Sequence, residues 1–455
     1  MESNTRPTQS GERVSQGLHG VRERARKHKQ ERFTALLHHV TPELLHDSFY
    51  ALKREAAPGV DGLTWKEYET GLEDRLKDLH SRVHRGAYRA LPSKRRWIPK
   101  PNGKQRPLGI AALEDKIVQQ AVVTILNEIY EEDFRGFSYG FRPGRSQHMA
   151  LDALYVAVKR KKVNWILDLD LKSFFDNISH GKLLELIEYR IADPRVLRLI
   201  QKWMKAGVME DGEWSETEAG TPQGAVISPL LSNVYLHYVL DQWTDQWRQS
   251  ARGDVTIVRY ADDAILGFQH QNEAERYLAE LRGHLQQYGL ELNEDKTRLI
   301  RFGRFAAQNR AERGEGKPES FTFLGLQHIC AENQLGRFEV RRITDGDRRR
   351  RKLQQIKQEL RRRMHVPIAD TGKWLQSVLR GYYQYHAVPG NMGVLSRFRH
   401  QVARLWFRIL GQRSQRRPTW AQLGPRLDHW LPVPHIMHEY PDARFDARRS
   451  ASHPR

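Results

Sequence analysis

Two neighbouring aspartates interrupt an apolar, strand-forming stretch, and they constrain the fold more than any other feature of the sequence. The stretch VTIVRYADDAILGF, residues 255–268, predicts two β-strands joined by a tight turn that contains Asp262 and Asp263. Adjacent carboxylates repel each other unless a positive group lies beside them, and a divalent cation is a common partner. A solvated turn would explain this stretch equally well, so other carboxylates have to decide between the two interpretations.

A second acidic stretch favours the cation. In WILDLDLKSFFDNI, residues 165–178, the alternation of a strand puts Asp168 and Asp170 on one face of an otherwise apolar run. Three carboxylates from two neighbouring strands suit two magnesium ions about 4 Å apart, which can activate a 3′ hydroxyl and stabilise a leaving pyrophosphate. The pattern therefore predicts nucleotidyl-transfer chemistry.

The charge of the chain indicates the class of partner. Lysine and arginine number 75 against 55 acidic residues, so the 455-residue chain carries a formal net charge of +20. This balance favours nucleic acid over an anionic membrane surface. No apolar run is long enough to span a membrane, and residues 1–30 lack the core of a signal peptide, so we expect a cytoplasmic protein. The single cysteine, Cys330, excludes an intrachain disulfide and a thiolate zinc site.

Seven motifs follow one another between about residue 31 and residue 440. They are PKPNGKQRPLGI, SYGFRPGRS, DLKSFFDNI, GTPQGAVISPLLSNVYLHYVLD, RYADD, GLELNEDKT and FTFLGL. In order and spacing they resemble those of group II intron-encoded reverse transcriptases, and the later segments WLQSVLRGYYQYHAVPGN and LPVPHIMHEYPDARF resemble the thumb and maturase region of that family. Two positions depart from the family pattern: Ala264 replaces the usual phenylalanine, and Ser179 stands where aspartate is frequent. Neither is a metal ligand.

The resemblance implies an α+β fold, a right-hand polymerase with fingers, palm and a helical thumb that forms maturase domain X. We expect a basic, disordered arm at 1–30, the N-terminal extension and fingers at 31–164, the palm with its YADD hairpin at 165–340, the thumb or maturase domain at 341–440 and a loose tail at 441–455. Some members of the family append a zinc-stabilised endonuclease with cysteine pairs. A chain with one cysteine is not expected to carry that domain.

The resemblance also implies roles for individual residues. Asp170, Asp262 and Asp263 are the expected catalytic residues, and together with Leu171 they are expected to bind two Mg²⁺ ions, for which Mn²⁺ can substitute. The expected nucleotide-binding residues are Lys100, Arg106, Phe175, Gln223, Gly224 and Lys296. Phe175 would exclude a 2′ hydroxyl from the incoming sugar, whereas Phe174 is expected in the core. For Lys296, a solvated loop position is an equally good interpretation.

Residues 341–363 are dominated by arginine and lysine. Contiguous cations repel each other unless a polyanion screens them, so we predict that this run contacts RNA phosphates. The predicted RNA-binding residues are Arg348, Arg349, Arg350, Arg351, Arg361, Arg362 and Arg363.

Together these features predict an RNA-directed DNA polymerase of a group II intron that also binds the intron RNA and promotes its splicing and mobility. The expected partners are template RNA, intron RNA, a DNA primer or target and deoxynucleoside triphosphates, with no membrane; a homodimer is left open. One alternative is a domesticated reverse transcriptase that serves DNA repair or defence. Another is an RNA-binding maturase with an idle polymerase site, which the intact Asp170, Asp262 and Asp263 argue against.

Overall fold

The computed structural model of the protein describes residues 9–99, 105–210, 212–215, 220, 224–413 and 419–452. These residues form α-helices and three β-sheets whose strands pair mainly in antiparallel fashion, which confirms the α+β class. None of the described helices is long and apolar enough to cross a lipid bilayer.

The first half of the chain is mainly helical. Its helices are α1 (Gln9–Lys27), α2 (Pro42–Ala51), α3 (Trp65–Glu69), α4 (Leu72–His84), α5 (Leu113–Asp133), α6 (Gln147–Arg160), α7 (Phe174–Asn177), α8 (His180–Glu188) and α9 (Pro194–Lys205). Its strands are β1 (Ser93–Pro99), β2 (Gln105–Ile110), β3 (Trp165–Leu169), β4 (Val208–Glu210) and β5 (Glu213–Ser215).

The second half continues with strands and ends in helices. Its strands are β6 (Val255–Tyr260), β7 (Asp263–Phe268), β8 (Arg298–Arg301), β9 (Ser320–Phe323), β10 (Leu326–Glu332) and β11 (Phe338–Thr344). Its α-helices are α10 (Ser228–Leu236), α11 (Trp243–Trp247), α12 (Gln271–Gln287), α13 (Ala306–Glu312), α14 (Gly346–Arg362), α15 (Ile368–His386), α16 (Met392–Leu410), α17 (Trp420–Trp430) and α18 (Pro441–Ser452). A π-helical segment, His237–Gln242, joins α10 to α11.

The central sheet has the strand order β6-β7-β3-β8, and every neighbouring pair is antiparallel. Tyr260 pairs with Asp263 across the turn between β6 and β7, and Leu169 of β3 pairs with Ala264 of β7. This register brings the β6–β7 turn and the C-terminal end of β3 to the same edge of the sheet. The strand–turn–strand pattern predicted from the sequence is therefore confirmed.

The described residues form two smaller sheets besides the central one. The first has the order β2-β1-β4-β5, in which β1 and β2 form the basic hairpin that the sequence predicted; its turn at residues 101–103 lies outside the described residues. The second has the order β11-β10-β9. A tight turn at Leu324 joins β9 to β10.

The buried apolar side chains form three clusters. One packs the N-terminal helices and α8–α12 against one face of the central sheet. A second lies between the opposite face, helix α6 and the β9–β11 sheet. The third lies among α14–α17, which have a core of their own.

Two segments that we expected to be loose are helical instead. Helix α1 buries Leu18, Val21 and Ala25, whose spacing forms a helical stripe that the polar composition of residues 1–30 had concealed. Helix α18 is held to α6 by Arg444, which donates to the buried carboxylate of Asp152 at 2.5 Å. The disordered arm and loose tail are thus corrected for the described parts of both segments, while residues 1–8 and 453–455 lie outside them.

Candidate active site

The turn between β6 and β7 presents the two neighbouring aspartates. Ala261 and Asp262 are its central residues, and Ala261 adopts a left-handed φ of 57°. The backbone of Gly140 lies directly against this turn, since a Cβ on Gly140 would lie 2.2 Å from the amide nitrogen of Ala261. Only glycine permits such a close approach. The turn is therefore supported from behind by the SYGF segment.

Asp170 follows the last residue of β3 and is enclosed by the NEDKT segment. Lys296 Nζ lies 2.9 Å from Asp170 Oδ2, and Asn293 Nδ2 donates to Oδ1 at 3.1 Å. The backbone amide of Asn293 also donates to the Asp170 carbonyl at 2.8 Å. Lys296 therefore contacts Asp170 while its side chain is 64% exposed, and its role in nucleotide binding stays a prediction. Asn293 was missed.

Burial and neighbouring charges raise the pKa of three carboxylates at this edge of the sheet, those of Asp168, Asp262 and Asp263. Burial, followed by the charges of Asp262, Asp170 and Asp168, raises the pKa of Asp263 to about 7, although solvent reaches its side chain. Burial and then Asp170 raise the pKa of Asp262, while Arg106 lowers it. Burial raises the pKa of Asp168 to about 6 against the opposing charge of Arg298, which lies 3.7 Å away. The site therefore concentrates negative charge that a cation would stabilise.

The donor chemistry of these residues fits magnesium, which prefers carboxylate oxygens. Within the part of the chain that the structure describes, no three His, Cys, Asp or Glu side chains converge closely enough to enclose a metal ion. Leu171 faces Leu292 as a bridge pair whose hydrogen bonds are made by the flanking residues, so that ladder does not use the Leu171 carbonyl. The carboxylates at this edge therefore fit magnesium by their negative charge and their oxygen donors.

The expected nucleotide-binding residues are partly brought together. Arg106 of β2 is close enough to influence the pKa of Asp262. Phe175 is half-buried, whereas Phe174 is in the core with 2% exposure. Gly224 has a φ of 109°, and a Cβ there would lie 2.7 Å from the carbonyl oxygen of Gly109 in β2. Lys100 and Gln223 lie outside the described residues.

Comparison with known proteins gives the family. A model of the reverse transcriptase (RNA-dependent DNA polymerase) family matches residues 98–328, about half of the chain. The chain belongs to the reverse transcriptase family. The fold of this family has a palm, fingers and a thumb. The expected assignment of the central sheet to the palm, of β1–β2 to the fingers and of the C-terminal helices to the thumb stays a prediction, and the three names are used below in that sense.

Individual relatives extend the match. Protein YkfC of Escherichia coli (strain K12) is 38% identical over 318 residues, which cover 62% of this chain and 78% of that protein. The group II intron-encoded protein LtrA of Lactococcus lactis subsp. cremoris is 37% identical over 225 residues, or 48% of this chain and 37% of LtrA. A 91 kDa protein in the cob intron of Schizosaccharomyces pombe is 40% identical over 154 residues, or 34% of this chain and 19% of that protein. The matches to the last two thus span well under two thirds of their lengths.

The arginine run of this reverse transcriptase has more than one environment. Arg348 donates to the Leu324 carbonyl at 3.2 Å and lies over the Tyr385 ring, and the Tyr385 hydroxyl donates to the same carbonyl at 2.6 Å. Leu324 is left-handed, with a φ of 49°. Arg348 therefore supports the β9–β10 turn. Its prediction as an RNA contact has to be weighed against this role in the protein.

The other predicted RNA-binding arginines divide in a similar way. Arg363 pairs with Glu359 at 2.8 Å and lies over the Trp374 ring, and Arg349 is half-buried. Besides Arg348, which is also exposed, four arginines of this helix are exposed: Arg350, Arg351, Arg361 and Arg362. Arg350 pairs with Asp347 and Arg362 with Glu359 on the helix itself.

Sequence reasoning missed a buried cation behind the catalytic turn. Arg259 has no solvent exposure, and its guanidinium pairs with the equally buried carboxylate of Asp241. The signal was an arginine inside the apolar run VTIVRY, where a charged side chain needs a buried partner. Nothing in the sequence identified that partner.

Proposed function

We propose that this reverse transcriptase copies RNA into DNA by two-metal nucleotidyl transfer at Asp170, Asp262 and Asp263. The observation that carries the proposal is the register of the palm sheet, which brings these carboxylates to one edge, where burial and the charge of Asp170 raise the pKa of Asp262 and Asp263. Two Mg²⁺ ions, or Mn²⁺ in their place, would be held by these carboxylates with the Leu171 carbonyl, and would supply Lewis-acid stabilisation of the attacking and leaving oxygens.

The protein's own residues would position the substrates. Arg106, near Asp262, would contact the triphosphate, and Lys100 of the same hairpin would act with it. Lys296, which pairs with Asp170 at 2.9 Å, would contact the phosphates once metal neutralises that carboxylate. Half-buried Phe175 would exclude the 2′ hydroxyl, and Gly224 with Gln223 would allow backbone and amide to approach the nascent base pair.

We further propose that the protein binds group II intron RNA and promotes its splicing and mobility. The names of two relatives, both intron proteins, support this assignment. The exposed arginines of α14, namely Arg350, Arg351, Arg361 and Arg362, offer a surface for RNA phosphates. The protein would act in the cytoplasm on template RNA, a DNA primer or target and deoxynucleoside triphosphates. A domesticated role in repair or defence would use the same catalytic residues.

A primer-extension assay tests the catalytic proposal. The purified protein should extend a DNA primer on an RNA template with magnesium and deoxynucleotides. Replacement of Asp262 and Asp263 by Ala should abolish extension and leave RNA binding, measured by filter retention, largely intact, because the RNA surface proposed on α14 does not include these aspartates. Extension by the double variant at the rate of the unmodified protein would overturn the two-metal assignment.

A further inference from the structure

We propose that Arg259 is the positioning residue of the catalytic turn, and that Asp241 fixes Arg259 in this role. The proposal rests on the polymerase function above and deepens it. Arg259 touches none of the reacting atoms; it would act through the Ala261 carbonyl, which precedes Asp262 in the chain.

All five N–H groups of the Arg259 guanidinium are used. Nε and Nη2 donate to the two carboxylate oxygens of Asp241 at 2.7 and 2.6 Å. Nη2 also donates to Ser138 Oγ at 2.7 Å, and Nη1 donates to Asn233 Oδ1 at 3.1 Å. The remaining bond, from Nη1 to the Ala261 carbonyl oxygen, is 2.8 Å long. Lysine could not reproduce this planar set, because it lacks the fork of donors.

Each anchor of Arg259 comes from a different element. Asp241 lies in the π-helical segment His237–Gln242, and such insertions are frequent at functional sites. Asn233 lies in α10, and its amide nitrogen donates to the Gly140 carbonyl at 2.7 Å. Ser138 lies in the SYGF segment, which pairs with β6 at Arg259. The network therefore ties three parts of the chain to one side of the catalytic turn.

The turn needs this support because its backbone is strained. A two-residue hairpin turn with a left-handed first central residue favours glycine there, but this chain has Ala261, with a φ of 57°. A non-glycine residue in this region persists only where its surroundings hold it. The bond from Arg259 to the Ala261 carbonyl and the close approach of Gly140 to the Ala261 amide hold the two peptide groups on either side of the Ala261 Cα. The turn that carries Asp262 and Asp263 is thereby held in one conformation.

Arg259→Lys tests the proposal, with Arg190→Lys as its matched control. Arg190 is also a buried arginine, with 3% side-chain exposure, which pairs with Asp133 at 2.7 Å and donates to backbone carbonyls at the end of α1. It contacts neither the turn nor the three aspartates. Both substitutions should lower the Tm, but only Arg259→Lys should disturb the turn.

Two readouts separate positioning from stability. In metal-free protein, Arg259→Lys should speed hydrogen exchange of residues 260–264 about ten-fold while other palm peptides keep their rates. In primer extension it should lower kcat about 100-fold and raise the magnesium concentration for half-maximal rate, with little change in KM for the nucleotide. Arg190→Lys should change neither readout.

Unchanged turn exchange together with unchanged kcat in Arg259→Lys would overturn the proposal, and so would an equal loss of kcat in Arg190→Lys.

If Arg259→Lys does not fold, Asn233→Ala is the test, since it removes one anchor and leaves the Asp241 pair. Unchanged turn exchange in that variant would also overturn the proposal. Absence of extension by the unmodified protein would instead refute the polymerase function. Hydrogen exchange of residues 260–264 would still show whether Arg259 holds the turn.

Discussion

At the scale of single residues, folding brings carboxylates of like charge close together at the catalytic edge of the palm. Burial and the three neighbouring carboxylates raise the pKa of Asp263 to about 7, and Lys296 offsets this only in part. The same edge contains the strained backbone of Ala261, and Ser173, just beyond Asp170, is also left-handed with a φ of 46°. Repulsion and strain of this kind are common at functional sites, where activity takes precedence over stability.

Asp263→Asn should stabilise the metal-free protein at pH 8 and have a smaller effect at pH 5. The pKa of Asp263 is about 7 in the folded protein and near 3.8 in the unfolded chain, so stability is lost as pH rises through this window. Because the side chain is solvent-exposed, we expect a gain of about 1–2 kcal/mol rather than the full value of the shift. Thermal unfolding in a chelator at both pH values measures it. An unchanged Tm at pH 8 would contradict the prediction.

Phe175→Val should increase incorporation of ribonucleotides relative to deoxynucleotides, because a smaller side chain leaves room for the 2′ hydroxyl. Single-nucleotide extension with both substrates gives the ratio. Phe174→Leu is the control: Phe174 is in the core, so this change should cost about 1–2 kcal/mol of stability without altering sugar selection. If Phe175→Val keeps the original preference, Phe175 serves only in packing.

At the scale of elements, helix α14 has separate faces with separate partners. Ile356 and Leu360 face the thumb core, whereas Arg348 reaches back to the β9–β10 turn. The four other exposed arginines, Arg350, Arg351, Arg361 and Arg362, have their polar contacts within the helix where they have any, as in the pair of Arg350 with Asp347. A run that looks uniform in the sequence thus divides into a packing face, a turn support and an exposed basic surface.

Replacing Arg350, Arg351, Arg361 and Arg362 by Gln should flatten the dependence of RNA affinity on salt. Each phosphate contact contributes about 0.7–0.9 to the slope of log affinity against log salt, so loss of all four contacts should lower the slope by about 3. Arg348→Gln should change the slope little, because its guanidinium is occupied by Leu324 and Tyr385. Titration of labelled RNA at several salt concentrations measures both. The same slope in the quadruple variant would show that RNA binds elsewhere.

At the scale of the whole molecule, buried polar side chains connect units that are far apart in the sequence. Asp152 of α6 pairs with Arg342 of β11 and with Arg444 of α18. His148 of α6 stacks on His438, with ring centroids 4.0 Å apart. These contacts join α6 to the β9–β11 sheet and to the C-terminal segment that ends in α18, so protonation within them should affect the whole fold.

Protonation of the buried histidines should therefore destabilise the protein in mild acid. Burial lowers the pKa of His148, His237, His328 and His386 to about 3. Their neutral forms stabilise the fold above pH 6.5, and that stability is lost as pH falls toward 3, by about 1–2 kcal/mol per histidine between pH 7 and 5. The Tm measured across this range tests the prediction. His148→Phe keeps the ring contacts but cannot titrate, so it should lose less; an identical acid dependence would contradict this assignment.

The sequence by itself determined the local features of this reverse transcriptase. Alternation of apolar and polar residues predicted β3 and the β6–β7 hairpin, and paired aspartates between apolar strands predicted the site at Asp170, Asp262 and Asp263. These patterns are visible because each depends on residues that are close together in the chain. The separation of core Phe174 from half-buried Phe175 was expected from the family resemblance, which places an aromatic side chain at the sugar five residues after Asp170.

Only the tertiary structure decided which side chains hold the site in place. Arg259 meets Ser138 and Asp241, and Arg348 meets Leu324, across long stretches of intervening chain. The docking of α1 likewise depends on Arg190, which is distant in sequence. Such pairs form because helices and strands pack in one arrangement that buries their apolar faces, and this packing then determines which charge lies beside which. A sequence shows that a buried arginine needs a partner, but the fold selects the partner.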